Sequence, residues 1–77
     1  MPAKTETAWP EGVVNRYLTL AGAALADPNI TVDVTDDGFA AECRGCQGGT
    51  RNSYAVAVTS WAATHAERCR QLPRPTA

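Results

Sequence analysis

Cys43-Arg44-Gly45-Cys46 and His65-Ala66-Glu67-Arg68-Cys69 together spell C-x2-C-x18-H-x3-C, the pattern that ties distant segments of this 77-residue chain together. A C-x2-C turn places two thiolates within reach of one ion, and residues four apart on a helix project from one face. Zinc takes four soft or borderline donors in a tetrahedron, so Cys43, Cys46, His65 and Cys69 are expected to hold one Zn²⁺. A site filled by three Cys and one His leaves no position for water or substrate, which predicts a structural ion and no catalysis.

Working outward, Asn52 or Ser53 is a good N-cap for a helix expected to run to about Gln71, where Leu72-Pro73-Arg74-Pro75 stops it. On such a helix Tyr54, Val58, Trp61, Ala62, His65, Cys69 and Leu72 fall within an arc of about 100°, the width of a core-facing stripe. A single inward His would be read as a hydrogen-bonded core residue, and a single inward Cys as a small hydrophobe. Four candidates that agree in spacing and face argue for a metal instead.

Upstream, Ile30-Thr31-Val32-Asp33-Val34-Thr35 alternates apolar with polar, as a half-buried strand does. A second strand is expected over Phe39–Cys43, with Phe39, Ala41 and Cys43 on one face and Asp36-Asp37-Gly38 as the hairpin turn. Gln47-Gly48-Gly49-Thr50-Arg51 reads as a flexible connector. Pro10-Glu11 suits the first turn of a helix expected from about 10 to 25, with Val13, Tyr17, Leu20, Ala21 and Ala24 on one face and Asp27-Pro28 ending it. The predicted fold class is α+β, in the order α-β-β-α: an N-terminal helix, a β-hairpin with the Cys-x-x-Cys zinc knuckle, and a C-terminal helix carrying the His and Cys ligands.

The length allows one compact unit, expected over residues 9–72, between a flexible N-terminus at 1–8 and a short tail at 73–77. A core of this size leaves about 3 to 5 kcal/mol of net stability, and a structural zinc contributes an apparent 10 to 16 kcal/mol or so in small finger peptides. Removal of the metal is therefore expected to melt the C-terminal half. The sequence has no membrane-length apolar run and no leader-like stretch, which predicts a cytoplasmic protein. Three cysteines, an odd number, in a reducing compartment argue against a structural disulfide.

Other chemistries fit less well. In thioredoxin-like oxidoreductases a helix begins at Cys-x-x-Cys, whereas Gly48-Gly49 follows here and His65 and Cys69 would be unexplained. Gln47 replaces the His of a haem-attachment motif. His65-Ala66-Glu67 has the H-x-E form of zinc deaminases, but the order relative to the Cys pair is reversed and no Pro precedes Cys43.

The paired Cys followed by His and Cys, with a hairpin before a ligand-bearing helix, resembles the ββα and treble-clef-like zinc fingers of the CCHC type. That resemblance makes Cys43 and Cys46 the knuckle pair, and His65 and Cys69 the helix pair. The gap of eighteen exceeds the twelve or so of DNA-reading fingers with two Cys and two His. The stretch from Tyr17 to Pro73 also loosely resembles uncharacterised zinc-finger-like proteins of actinobacteria and their mobile elements, a likeness that implies no activity.

Charge is segregated along the chain. Residues 1–42 hold two cations against seven carboxylates, a net of −5, while residues 43–77 hold five arginines against Glu67, a net of +4. Arg44, Arg51, Arg68 and Arg70 are expected to bracket the metal, where they either offset the −1 of a zinc with three thiolates or form a phosphate-binding edge. The opposite side of the last helix, Val56, Ser60, Ala63, Thr64 and Glu67, is smooth and suits residues 10–25 or a partner helix. The expectation is a non-enzymatic zinc module that binds nucleic acid or, as an adaptor, protein, with no membrane and no small-molecule substrate.

Overall fold

The computed structural model describes residues 9–73. The elements run β1 (Val13–Leu18), α1 (Leu20–Leu25), β2 (Thr31–Thr35), a 3-10 turn (Asp36–Gly38), β3 (Ala40–Cys43), β4 (Gly49–Arg51) and α2 (Ala55–Arg68). The strands form one antiparallel sheet in the order β1-β2-β3-β4. The chain is thus α+β, and α2 is the one long helix among the described residues.

The helix expected over 10–25 is instead a strand followed by a short helix. Pro10-Glu11-Gly12-Val13 closes a turn, with the Val13 N–H donating to the Pro10 carbonyl at 3.1 Å and Gly12 at φ +89°. A positive φ at the third residue is what a type II turn requires, so Pro10 opens a turn rather than a helix. The β-branched pair Val13-Val14 then favours extended backbone, and β1 pairs from Val13↔Thr35 to Leu18↔Thr31 with a bulge at Val14. Thr19 ends the strand and caps α1: its hydroxyl accepts from the Gly22 N–H at 3.0 Å and donates to the Ile30 carbonyl at 2.9 Å.

The hairpin is present with a longer loop. Thr35 pairs with Ala40, so Asp36 to Phe39 lie outside the ladder, and Phe39 is in the loop rather than on β3. Asp36 and Asp37 both adopt φ +56°, which short polar side chains tolerate. The expected connector supplies β4, in which Gly49, Thr50 and Arg51 pair with Glu42, Ala41 and Ala40. Its backbone groups find partners on the exposed edge of β3, as sheet edges favour.

The core lies between one sheet face and α2: Val32, Val34, Ala41 and Cys43 meet Val58, Ala62, Ala66 and Cys69, with Tyr17, Cys46 and Trp61 packed beside them. Helix α2 begins at Ala55, because the Asn52 side chain accepts from the Tyr54 N–H at 2.9 Å and forms a separate turn first. It ends at Arg68 instead of Gln71. Tyr54 and Leu72, expected on the buried stripe, are exposed, and Ala66 takes a place on it. The outer face of α2 is open at Val56, Ser60, Thr64 and Glu67, so residues 10–25 do not cover it. The expected flexible ends, 1–8 and 73–77, lie outside the described residues except for Pro73.

On the other sheet face Asp33 is buried beneath two arginines. Arg16 donates from Nε and Nη2 at 2.8 and 3.4 Å, Thr31 Oγ1 donates at 2.7 Å, and Arg44 Nη1 lies 3.5 Å away. Val58 is fully buried at the centre of the helix–sheet contact. Its replacement by Ala is expected to cost about 2 kcal/mol in a urea unfolding curve, through lost transfer free energy plus an unfilled cavity.

Candidate metal centre

β3 delivers Cys43 at its last residue, and the chain then turns. The Gln47 N–H donates to the Cys43 carbonyl at 2.8 Å, and the Cys43 N–H donates to the Gly48 carbonyl at 2.7 Å. These two bonds fold the loop back so that Cys46 faces Cys43, and the Gly48 N–H points at Cys46 Sγ from 3.4 Å. Gln47 takes φ +67° inside this turn.

The other pair comes from the end of α2. His65 stands in the last turn, and Cys69 is the residue at which the helix stops, its N–H still donating to the His65 carbonyl at 2.9 Å. The Cys69 carbonyl accepts from the Ala21 N–H at 3.1 Å, so the first turn of α1 fixes the last donor. Beyond Cys69 the chain crosses Gly45, where a Cβ would sit 2.6 Å from the Gln71 carbonyl oxygen. Only glycine permits that approach.

The donor atoms of Cys43, Cys46, His65 and Cys69 all lie within 4.8 Å of one another. Two opposite edges of the cluster are defined: Cys43 Sγ to Cys69 Sγ at 3.6 Å, and Cys46 Sγ to His65 Nε2 at 3.3 Å. Metal–sulfur bonds of about 2.3 Å and metal–nitrogen bonds of about 2.0 Å at tetrahedral angles give edges of roughly 3.8 and 3.5 Å. The residues present therefore fit one tetrahedral ion. The three cysteines are free thiols in the structure, with Cys43 and Cys69 buried and Cys46 half-buried.

Burial pushes the Cys43 thiol up to about 11, with Cys69 and Cys46 beside it adding to the shift. At Cys46 burial acts in the same direction, but the Gly48 N–H and the neighbouring Cys43 and Cys69 outweigh it and hold that thiol below its ordinary value. Trp61 stacks on His65 with ring centroids 4.6 Å apart and planes 14° from parallel, which fixes the imidazole while Nε2 faces Cys46.

The arginines divide. Arg44, next to Cys43, leans on Asp33 across the outer sheet face. Arg51 pairs with Asp36 at 2.7 Å and sits opposite Ala40, at the end of β3 remote from Cys43. Arg68 lines an open groove along α2 with Ser60, Trp61, Thr64 and His65, and Arg70 is exposed just past Cys69. Sequence reasoning did not identify the stacking of Trp61, the clamp from Ala21 or the crossing at Gly45. Gly45 and Gly48, flanking Cys46, were the available signal for the tight turn.

No known protein family, curated protein or solved structure matches the chain. Among the described residues, no helix is long and apolar enough to cross a membrane.

A metal cation requires the thiolates, so protons compete with it and affinity falls as pH falls. Cys43 keeps its proton well past the ordinary thiol range, since its thiol is raised from 9.0 to about 11. In competition with a chelator, apparent metal affinity is expected to rise with pH by about tenfold per unit for each thiol still protonated, without levelling off at pH 9. A plateau well below that pH would contradict the burial of Cys43.

Proposed function

We propose that the chain is a non-enzymatic binding module closed by one structural Zn²⁺ on Cys43, Cys46, His65 and Cys69. The observation that carries this reading is the convergence of four donors within 4.8 Å where the β3–β4 turn meets the end of α2. Three thiolates and an imidazole in a tetrahedron suit zinc better than the hard cations, which take oxygen donors. With every tetrahedral position filled from the protein, no water is available for activation, so the ion serves the fold. When bound, it links sheet to helix with an apparent free energy of about 10 to 16 kcal/mol.

The partner in this reading is a macromolecule, with nucleic acid first. Arg68 and Arg70 flank the last donor and make no ion pair among the described residues. Arg44 is 47% exposed in its side chain, and the Arg51–Asp36 pair is exposed on both sides. Exposed pairs contribute only about 0 to 1 kcal/mol, so a phosphate can displace them. A second reading, a protein adaptor, draws support from the open outer face of α2, where Val56 is 76% exposed.

Native mass spectrometry is expected to find one zinc per chain, and circular dichroism is expected to report loss of α2 when a chelator removes it. A chain isolated without zinc, or one that keeps its helix after chelation, would overturn the structural-zinc reading. Binding to single-stranded or duplex DNA is expected to weaken steeply as salt is raised. No binding even at low ionic strength, together with a co-purifying protein, would move the assignment to the adaptor.

A further inference from the structure

We infer that the four-donor site is also a peroxide-sensitive latch, in which Cys46 is the sulfur oxidised first and Cys43 the one that resolves it. The inference rests on the zinc reading above and adds to it a way of opening the site. Its basis is the unequal burial of the three thiols and the geometry of the turn that joins two of them.

A small oxidant must reach a sulfur before it can react. Cys43 is 0% exposed and Cys69 8%, enclosed by the valines and alanines of the core. Cys46 is half-buried and is the most accessible of the three thiols. Susceptibility of cysteines to peroxide follows accessibility and thiolate character, and metal ligation supplies the second.

The zinc-bound Cys46 thiolate attacks one oxygen of hydrogen peroxide, the O–O bond breaks, and Cys46 becomes a sulfenic acid while the other oxygen leaves as hydroxide, which takes a proton from the solvent. The Cys43 sulfur then attacks the Cys46 sulfur. An S–S bond forms, the S–O bond breaks, and the hydroxyl leaves as a second hydroxide that takes a proton from the solvent. One peroxide is reduced and two thiols are oxidised to one disulfide.

Cys43 is favoured over Cys69 as the second sulfur by the backbone. Cys43 and Cys46 both lie in a five-residue turn closed by the Gln47 N–H on the Cys43 carbonyl at 2.8 Å, and their sulfurs are within 4.8 Å of each other. A disulfide spans about 4.4 to 6.8 Å between Cα atoms, a separation that two residues within one i→i+4 turn of backbone meet. Cys69 is tied elsewhere, through its carbonyl to Ala21 and through its N–H to His65. The disulfide consumes two of the four donors, so His65 and Cys69 are left without an ion and the end of α2 keeps only its packing and its bond to Ala21.

The sequence makes the outcome readable, because trypsin cleavage after Arg44, Arg51 and Arg68 puts the three cysteines on three different peptides. The zinc-loaded chain is treated with equimolar peroxide, with and without dimedone to trap sulfenic acid, and followed by native mass spectrometry and peptide mapping. The product is expected to be zinc-free and two hydrogens lighter than the reduced zinc-free chain, with a Cys43–Cys46 linkage, and with dimedone present an adduct on Cys46; reductant plus zinc restores the starting mass. A first adduct on Cys43 or Cys69, a linkage through Cys69, or zinc loss without a disulfide overturns the latch while leaving the zinc reading intact. Absence of zinc before peroxide is added overturns the zinc reading itself, and the latch with it.

Discussion

The junction of the β3–β4 turn with the end of α2 is the contact on which the rest of the structure depends. The apolar core beneath it is small: Val32, Val34 and Val58 are its largest fully buried hydrophobic side chains, and alanines fill much of the remainder. Each buried valine contributes about 1.5 to 3 kcal/mol against exposure, which leaves little after the conformational entropy of ordering the chain. Cys43 and Cys69 are at once part of that core and members of the donor cluster. Packing and donor convergence therefore act at the same place, and neither can be altered alone.

Around this junction the backbone is held from three directions. Thr19 caps α1 and ties it to Ile30, α1 presents the Ala21 N–H to the Cys69 carbonyl, and the segment after Cys69 passes over Gly45 in the knuckle. A six-residue helix with no long apolar face has little reason to form by itself. Its role here is to fix one carbonyl, and through it the last of the four donors.

The charge segregation of the sequence is partly consumed inside the fold. Arg44 reaches back to Asp33 and Arg51 to Asp36, each pairing the basic half with the acidic half. The Asp33 carboxylate, buried on the outer sheet face, is satisfied by Arg16 and Thr31 as well. A buried carboxylate with this many donors specifies how β1, β2 and the knuckle sit together more than it adds net stability. Among the described residues, Arg68 and Arg70 are left outside these pairs, and the outer face of α2 is open.

By itself the sequence determined the four donors, the strands β2 and β3 and the long helix α2. These features are local: a two-residue spacer, a four-residue helical offset, a period of two and a period near 3.6 each follow from backbone geometry. It pointed wrongly at residues 10–25, where Pro10 and a run of apolar residues fit a helix start as well as they fit a turn and an edge strand. Only tertiary structure decided between them, since β1 exists because β2 offers it a ladder from Thr31 to Thr35, and Gly12 supplies the turn that aims it. The same holds for β4, whose Gly49-Thr50-Arg51 carries no strand signal and is extended because the free edge of β3 pairs with it. The stacking of Trp61 on His65 and the hold of Ala21 on Cys69 were likewise invisible beforehand, because contacts between segments far apart in the chain exist only once both have been placed.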